Sequence, residues 1–188
     1  LNITPISKVW EQMNLAWHYG AHKIWVVNVG DLKPMEFPIE FFLTLAWDPE
    51  RWPHTRLSEY GRLWAEREFG SDHAAEIAQM VATYTKFNRR RSPELLSPDT
   101  YSLVNYREAD RIVEEYNALA RRAEAVGGEL PAEFHDAYFQ LVLWPIQASA
   151  NLNELYVTAG KNRLYGTQGR TATNTLAERA RELFAADA

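Results

Sequence analysis

Apolar positions recur every three to four residues over most of this chain, and one short stretch departs from that rhythm. Val9, Met13, Ala16 and Trp17 share one face of 6–19, and Gly20 supplies a stop, which predicts an amphipathic helix. Ile24, Trp25, Val26, Val27 and Val29 are instead nearly continuous and β-branched or aromatic, the pattern of a strand covered on both faces in a parallel sheet. Pro38 and the run Ile39, Phe41, Phe42, Leu43, Leu45, Ala46, Trp47 predict a short buried helix closed at Asp48-Pro49. From there the strand signals cease.

Helical spacing then governs the chain. Leu57, Tyr60, Leu63 and Trp64 align over 55–69, and Ile77, Val81, Tyr84 and Phe87 or Asn88 over 73–90. Ser92-Pro93 and Ser97-Pro98 mark a loop, with Ser97 or Asp99 as the expected N-cap of a long helix. Ala109, Ile112, Val113, Tyr116, Leu119, Ala120 and Ala123 give that helix its face, and Gly127-Gly128 is expected to end it. Segment 132–165 is apolar on more than one side and is expected to be central, with Pro145 kinking or dividing it. A turn at Gly166–Gly169 leads to a last helix over 172–185. The fold class expected is mainly α: an antiparallel bundle of about five to six helices preceded by one helix–strand unit.

The chemistry that stands out lies just past the expected strand, where Asn28, Gly30, Asp31, Lys33 and Glu36 combine an amide, a cation and two carboxylates on a glycine-kinked loop. In α/β architectures ligands bind beyond the carboxyl ends of strands, so these side chains are candidates for substrate binding. Gly-Asp after a strand is also ordinary turn chemistry. Asn88 is a further candidate, placed to turn into a cleft from the bundle side or to cap its own helix. Tyr60 and Trp64 read as core more than as a sugar platform.

Charge and composition narrow the picture. Net charge is −5 with a pI near 5.6, which opposes a nucleic-acid partner. Arg89, Arg90 and Arg91 form a local basic run, read as a solvated helix terminus or, alternatively, as the source of a carboxylate-binding arginine. No run of about 18 apolar residues occurs, so a globular chain with no membrane partner is expected. There are no cysteines, and the His18/His22 pair at i, i+4 straddles Gly20 without further ligands, so no metal or cofactor is predicted. Nucleotide, dinucleotide and serine-hydrolase motifs are missing. The chain starts at Leu1 and runs straight into a helix, which reads as part of a longer protein.

Longer motifs carry a resemblance. Lys-Val-Trp-Glu-Gln-Met at 8–13, the whole of 20–36, Phe-Phe-Leu-Thr-Leu-Ala-Trp-Asp-Pro at 41–49, Arg-Ser-Pro-Glu-Leu-Leu at 91–96, Thr-Tyr-Ser-Leu at 100–103, Asn-Tyr-Arg-Glu-Ala at 105–109, Ala-Asn-Leu-Asn-Glu-Leu-Tyr at 150–156, Lys-Asn-Arg-Leu-Tyr at 161–165 and Gln-Gly-Arg at 168–170 resemble glycoside hydrolase family 115, the xylan α-1,2-glucuronidases, in the same order. The resemblance implies a fragment: residues 1–50 as the end of a (β/α) barrel catalytic domain and 51–188 as the helical bundle domain after it. It implies removal of glucuronic or 4-O-methylglucuronic acid from glucuronoxylan by inversion, in which one group protonates the leaving oxygen and another activates water across the ring. Asn28, Asp31, Lys33, Glu36 and Asn88 would then be substrate-binding, with Glu36 alternatively pairing to a bundle residue. The general acid and base are not assigned. The partners implied are glucuronoxylan or its oligosaccharides and the rest of the barrel, with a homodimer as an option; the compartment implied is secreted or periplasmic. The fragment would be inactive alone. A non-catalytic helical packing or dimerisation module is the competing reading, and it can bury Asn28 and Asp31 where an enzyme wall would leave them accessible in a concavity.

Overall fold

A computed structural model describes residues 3–187. Helices α1 (Ile6–His18), α2 (Glu36–Trp47), α3 (Leu57–Phe69), α4 (Ala74–Asn88), α5 (Glu108–Glu129), α6 (His135–Tyr138), α7 (Trp144–Thr167) and α8 (Thr173–Asp187) follow one another, with a wide π turn at Phe139–Leu143 joining α6 to α7. The architecture is the mainly α bundle expected from the periodicity: α3 packs on α4, α5 on α7 and α7 on α8.

The first fifty residues are tied to this bundle through α2. Phe37, Phe41 and Leu45 enter the same core as Trp52, Tyr60, Trp64 and Phe69, with Phe41 and Leu45 wholly buried. Each such side chain contributes about 1.5–3 kcal/mol. Tyr60 and Trp64 are thus core residues, and the Tyr60 hydroxyl donates to Glu40 at 2.8 Å. Pro38 sits in the first turn of α2, where its missing N–H is harmless. Helix α1 buries no residue completely; Val9, Trp10 and Met13 lie half-covered on the core, and Gly20, at φ +93°, ends it as expected.

Three local expectations are corrected. Residues 24–29 form no strand: they run without a ladder partner, and Ile24 and Val26 are 80% and 89% exposed. The apolar run records a demand for cover, but a strand also needs neighbouring backbone, and the described residues supply none. Helix α5 starts at Glu108 rather than being capped by Ser97 or Asp99, because Ser97 and Thr100 close a turn of their own, the Ser97 N–H donating to Thr100 Oγ1 at 2.8 Å. Two consecutive left-handed residues, Tyr106 and Arg107, then redirect the backbone into the helix.

Gly127-Gly128 lies inside α5 and does not end it. A β-carbon at Gly127 would stand 3.0 Å from the Tyr138 ring, so this glycine makes room for Tyr138, whose hydroxyl donates to Ala123 O at 2.8 Å. The central segment is divided next to Pro145, as expected. The proline occupies the second position of α7, directly after the π turn, where the hydrogen-bond pattern has already been interrupted.

Candidate functional site

The polar loop is held by what precedes and follows it. Trp25 lies with its ring 6.4 Å from Trp17 and 6.1 Å from Phe42, fastening the extended segment over α1 and α2. The Asn28 side-chain oxygen accepts the Gly30 N–H at 3.0 Å, and Gly30 takes φ +66°, a backbone conformation that L side chains rarely adopt. The Met35 N–H donates to Leu32 O at 2.9 Å and starts α2.

Within this frame Asn28, Asp31 and Lys33 are exposed, and Glu36 is half-buried. Asn28 lines a concavity of about 330 Å³ with Thr4, Lys8, Gln12, Val29 and Pro38. Lys33 and Glu36 approach to 3.8 Å, and Glu36 Oε1 accepts the Gln140 side-chain N–H at 2.9 Å. The pairing of Glu36 with a bundle residue is therefore observed. Its other oxygen, Oε2, is buried without a partner.

Lys33 shares a second, shallow concavity of about 460 Å³ with Asp136, Phe139, Gln140 and Trp144. Phe139 and Trp144 are 51% and 45% exposed despite their apolar character. These neighbours were not foreseen. Residues five apart fall on different sides of a regular α-helix; the π turn brings them to one side.

Asn88 is not part of this assembly. It is 1% exposed inside the bundle, accepts the Tyr116 hydroxyl at 2.8 Å and donates to Ser149 Oγ at 3.0 Å, while Ser149 donates to Pro145 O at 2.8 Å. A cleft-facing Asn88 is thus replaced by a core amide. It satisfies a hydroxyl that would otherwise be buried unpaired. Among the described residues no three metal-ligating side chains converge, and His22 is engaged with Trp17 O at 2.7 Å. No helix of the described residues is long and apolar enough to cross a membrane.

Residues 1–95, about half of the chain and the part that includes the whole polar loop, match the sequence model of glycosyl hydrolase family 115. The chain belongs to glycosyl hydrolase family 115. No curated protein matches it. A solved structure described as a novel family GH115 4-O-methyl-alpha-glucuronidase, BtGH115A, with specificity for decorated arabinogalactans, shares the fold with a TM-score of 0.72 at 24% identity. The match covers 97% of this chain and 26% of that one, so the chain spans about a quarter of that protein's length.

Proposed function

We propose that this family 115 chain is part of a glycoside hydrolase that removes glucuronic or 4-O-methylglucuronic acid side groups from xylan with inversion, and that it contributes one wall of the uronate site. The observation that carries this reading is the accessibility of Asn28 and Asp31 on a loop inside the family match. A packing module can bury them.

In this reading Asn28 and Asp31 offer an amide and a carboxylate to sugar hydroxyls, and Lys33 offers an ammonium group to the uronate carboxylate. Glu36 holds the loop to the bundle through Gln140 and sets where Lys33 stands. The groups that protonate the leaving oxygen and activate water belong to the remainder of a (β/α) barrel, of which residues 1–50 are the end, so the chain alone is inactive. The exposed apolar side chains Ile24, Val26, Leu32, Leu43 and Trp47 support that division, since barrel neighbours would cover them. A secreted or periplasmic location belongs to the same reading and rests on the family alone.

The test is uronic acid release from glucuronoxylan by the full-length protein, by its Asp31→Ala variant and by the 188-residue chain. A hundredfold or greater fall in the variant and no release by the chain are expected. A variant as active as the parent would remove Asp31 from the site, and a folded but inactive parent would favour the packing module.

A further inference from the structure

The arginine run at the end of α4 is not absorbed by the loop site, and it opens onto a pocket of about 730 Å³ walled by the 97–101 loop and the first turns of α5. Helix α5 has 22 residues and so measures about 33 Å. Its far end meets Tyr138 through Gly127, close to Gln140 and the polar loop. The two sites therefore lie at opposite ends of the bundle.

Three carboxylates and three guanidinium groups line this pocket, and they are not equivalently engaged. Asp99 pairs with Arg163, Glu115 with Arg90 at 2.5 Å, and Glu108 accepts the Ser102 N–H at 2.7 Å. Every acid thus has a partner. Arg90 is fixed further by stacking on Phe87, its guanidinium carbon 4.2 Å from the ring centroid. Arg91, by contrast, spends only its Nε–H, on Leu95 O at 3.0 Å, and Arg111 has no side-chain partner among the described residues. Tyr101 lines the same pocket from behind, its ring packed toward Ile112 and Tyr116.

We propose that this pocket is a second, non-catalytic binding site, in which Arg91 and Arg111 hold the carboxylate of an acidic saccharide. Guanidinium forks match a planar carboxylate in two parallel hydrogen bonds. The volume exceeds what a bare anion fills, and Ser97 and Thr100 add hydroxyl groups along the wall suited to sugar hydroxyls. The saccharide identity rests on the carbohydrate reading proposed above; the anion chemistry rests on the pocket itself. The wall is prearranged, because Ser97 N–H to Thr100 Oγ1 and Ser102 N–H to Glu108 close the loop without a ligand.

The experiment is hydrogen exchange on the full-length protein, read at peptides covering 97–111, with glucuronic acid, glucose or inorganic phosphate at matched concentrations. Glucuronic acid is expected to slow exchange there, glucose to do nothing, and phosphate to require at least tenfold more. Arg111→Gln should raise the half-saturating glucuronic acid concentration at least tenfold, and Arg91→Gln at least threefold. Both variants should turn over a small soluble uronoside at the parental rate, which separates this site from the loop. Unchanged protection in Arg111→Gln, no protection in the parent, or equal potency of phosphate and glucuronic acid would each overturn the proposal. Since the readout is local binding, a full-length protein that releases no uronic acid would sink the proposed function and leave this test intact.

Discussion

Glu36 and Gln140, 104 residues apart, meet in a hydrogen bond of 2.9 Å that joins the polar loop to the π turn of the bundle. The neighbouring Lys33–Glu36 pair is long and exposed and contributes little. The amide contact is therefore the main polar tie on this side of the loop. Gln140→Ala is expected to destabilise the chain by about 1–2 kcal/mol. In a double-mutant cycle with Glu36→Ala the two losses should be less than additive by about 0.5–1.5 kcal/mol, measured from urea midpoints. Additive losses would show that the contact does not couple the two elements.

Gly160 and Gly128 make opposite predictions from the same substitution. A β-carbon at Gly160 would stand 2.5 Å from the backbone oxygen of Pro98, so Gly160→Ala must displace the 97–101 loop, at a cost of about 1–3 kcal/mol. Gly128 lies within α5 with open space beside it, and Gly128→Ala should stabilise by roughly 0.5 kcal/mol through helix propensity. Thermal midpoints of the two variants check both signs.

Asn88→Ala removes the acceptor for the Tyr116 hydroxyl and the donor to Ser149 in the bundle core. A loss of about 2–4 kcal/mol is expected in urea unfolding, since a cavity and an unpaired hydroxyl are created together. Tyr116→Phe should cost less, about 1 kcal/mol. Neither change should alter the uronate affinity of a protein that remains folded.

These outcomes bear on how far the chain can be read before its structure is known. The helices were legible because each pairs a continuous apolar face with the core: Ile77, Val81 and Tyr84 on α4, and Ile112, Tyr116 and Leu119 on α5, fall where their spacing places them. Asn88 was misplaced because an amide at a helix end carries no sequence sign of a hydroxyl waiting across the core. Gly127 looked like a stop, but its small size serves Tyr138, a contact invisible to local pattern. The pairing of Phe139 with Trp144 on one side was not legible, because one wide turn changes the face on which every later side chain falls. Asn28, Asp31, Lys33 and Glu36 were readable as a group, being close in sequence. Gln140, their only bundle-side hydrogen-bond partner among the described residues, was not.

Tyr60, Tyr116 and Tyr138 give the fold an alkaline limit. Burial pushes all three phenols above the usual tyrosine range, with Glu40 adding to the effect at Tyr60. In the unfolded chain they ionise near pH 10, while in the fold they keep their protons, so the native state binds more protons above that pH. Stability is thus complete below about pH 10 and falls as pH rises from there toward the folded values. Each phenol contributes about 1.4 kcal/mol per pH unit within that window. Urea midpoints taken between pH 9 and 11 should drop steeply above 10, and Tyr138→Phe should make the drop shallower.

The bare extended segment beside the loop has a consequence of another kind. No backbone N–H or C=O of Ile24–Val29 is paired with another backbone group among the described residues, and their side chains are β-branched or aromatic apart from Asn28. Such a segment is a ready template for a neighbouring strand. Within a larger protein the adjoining chain can occupy that edge, but in isolation two copies can occupy it for each other. The stretch that helps present the polar loop is therefore also where the separated chain would begin to aggregate.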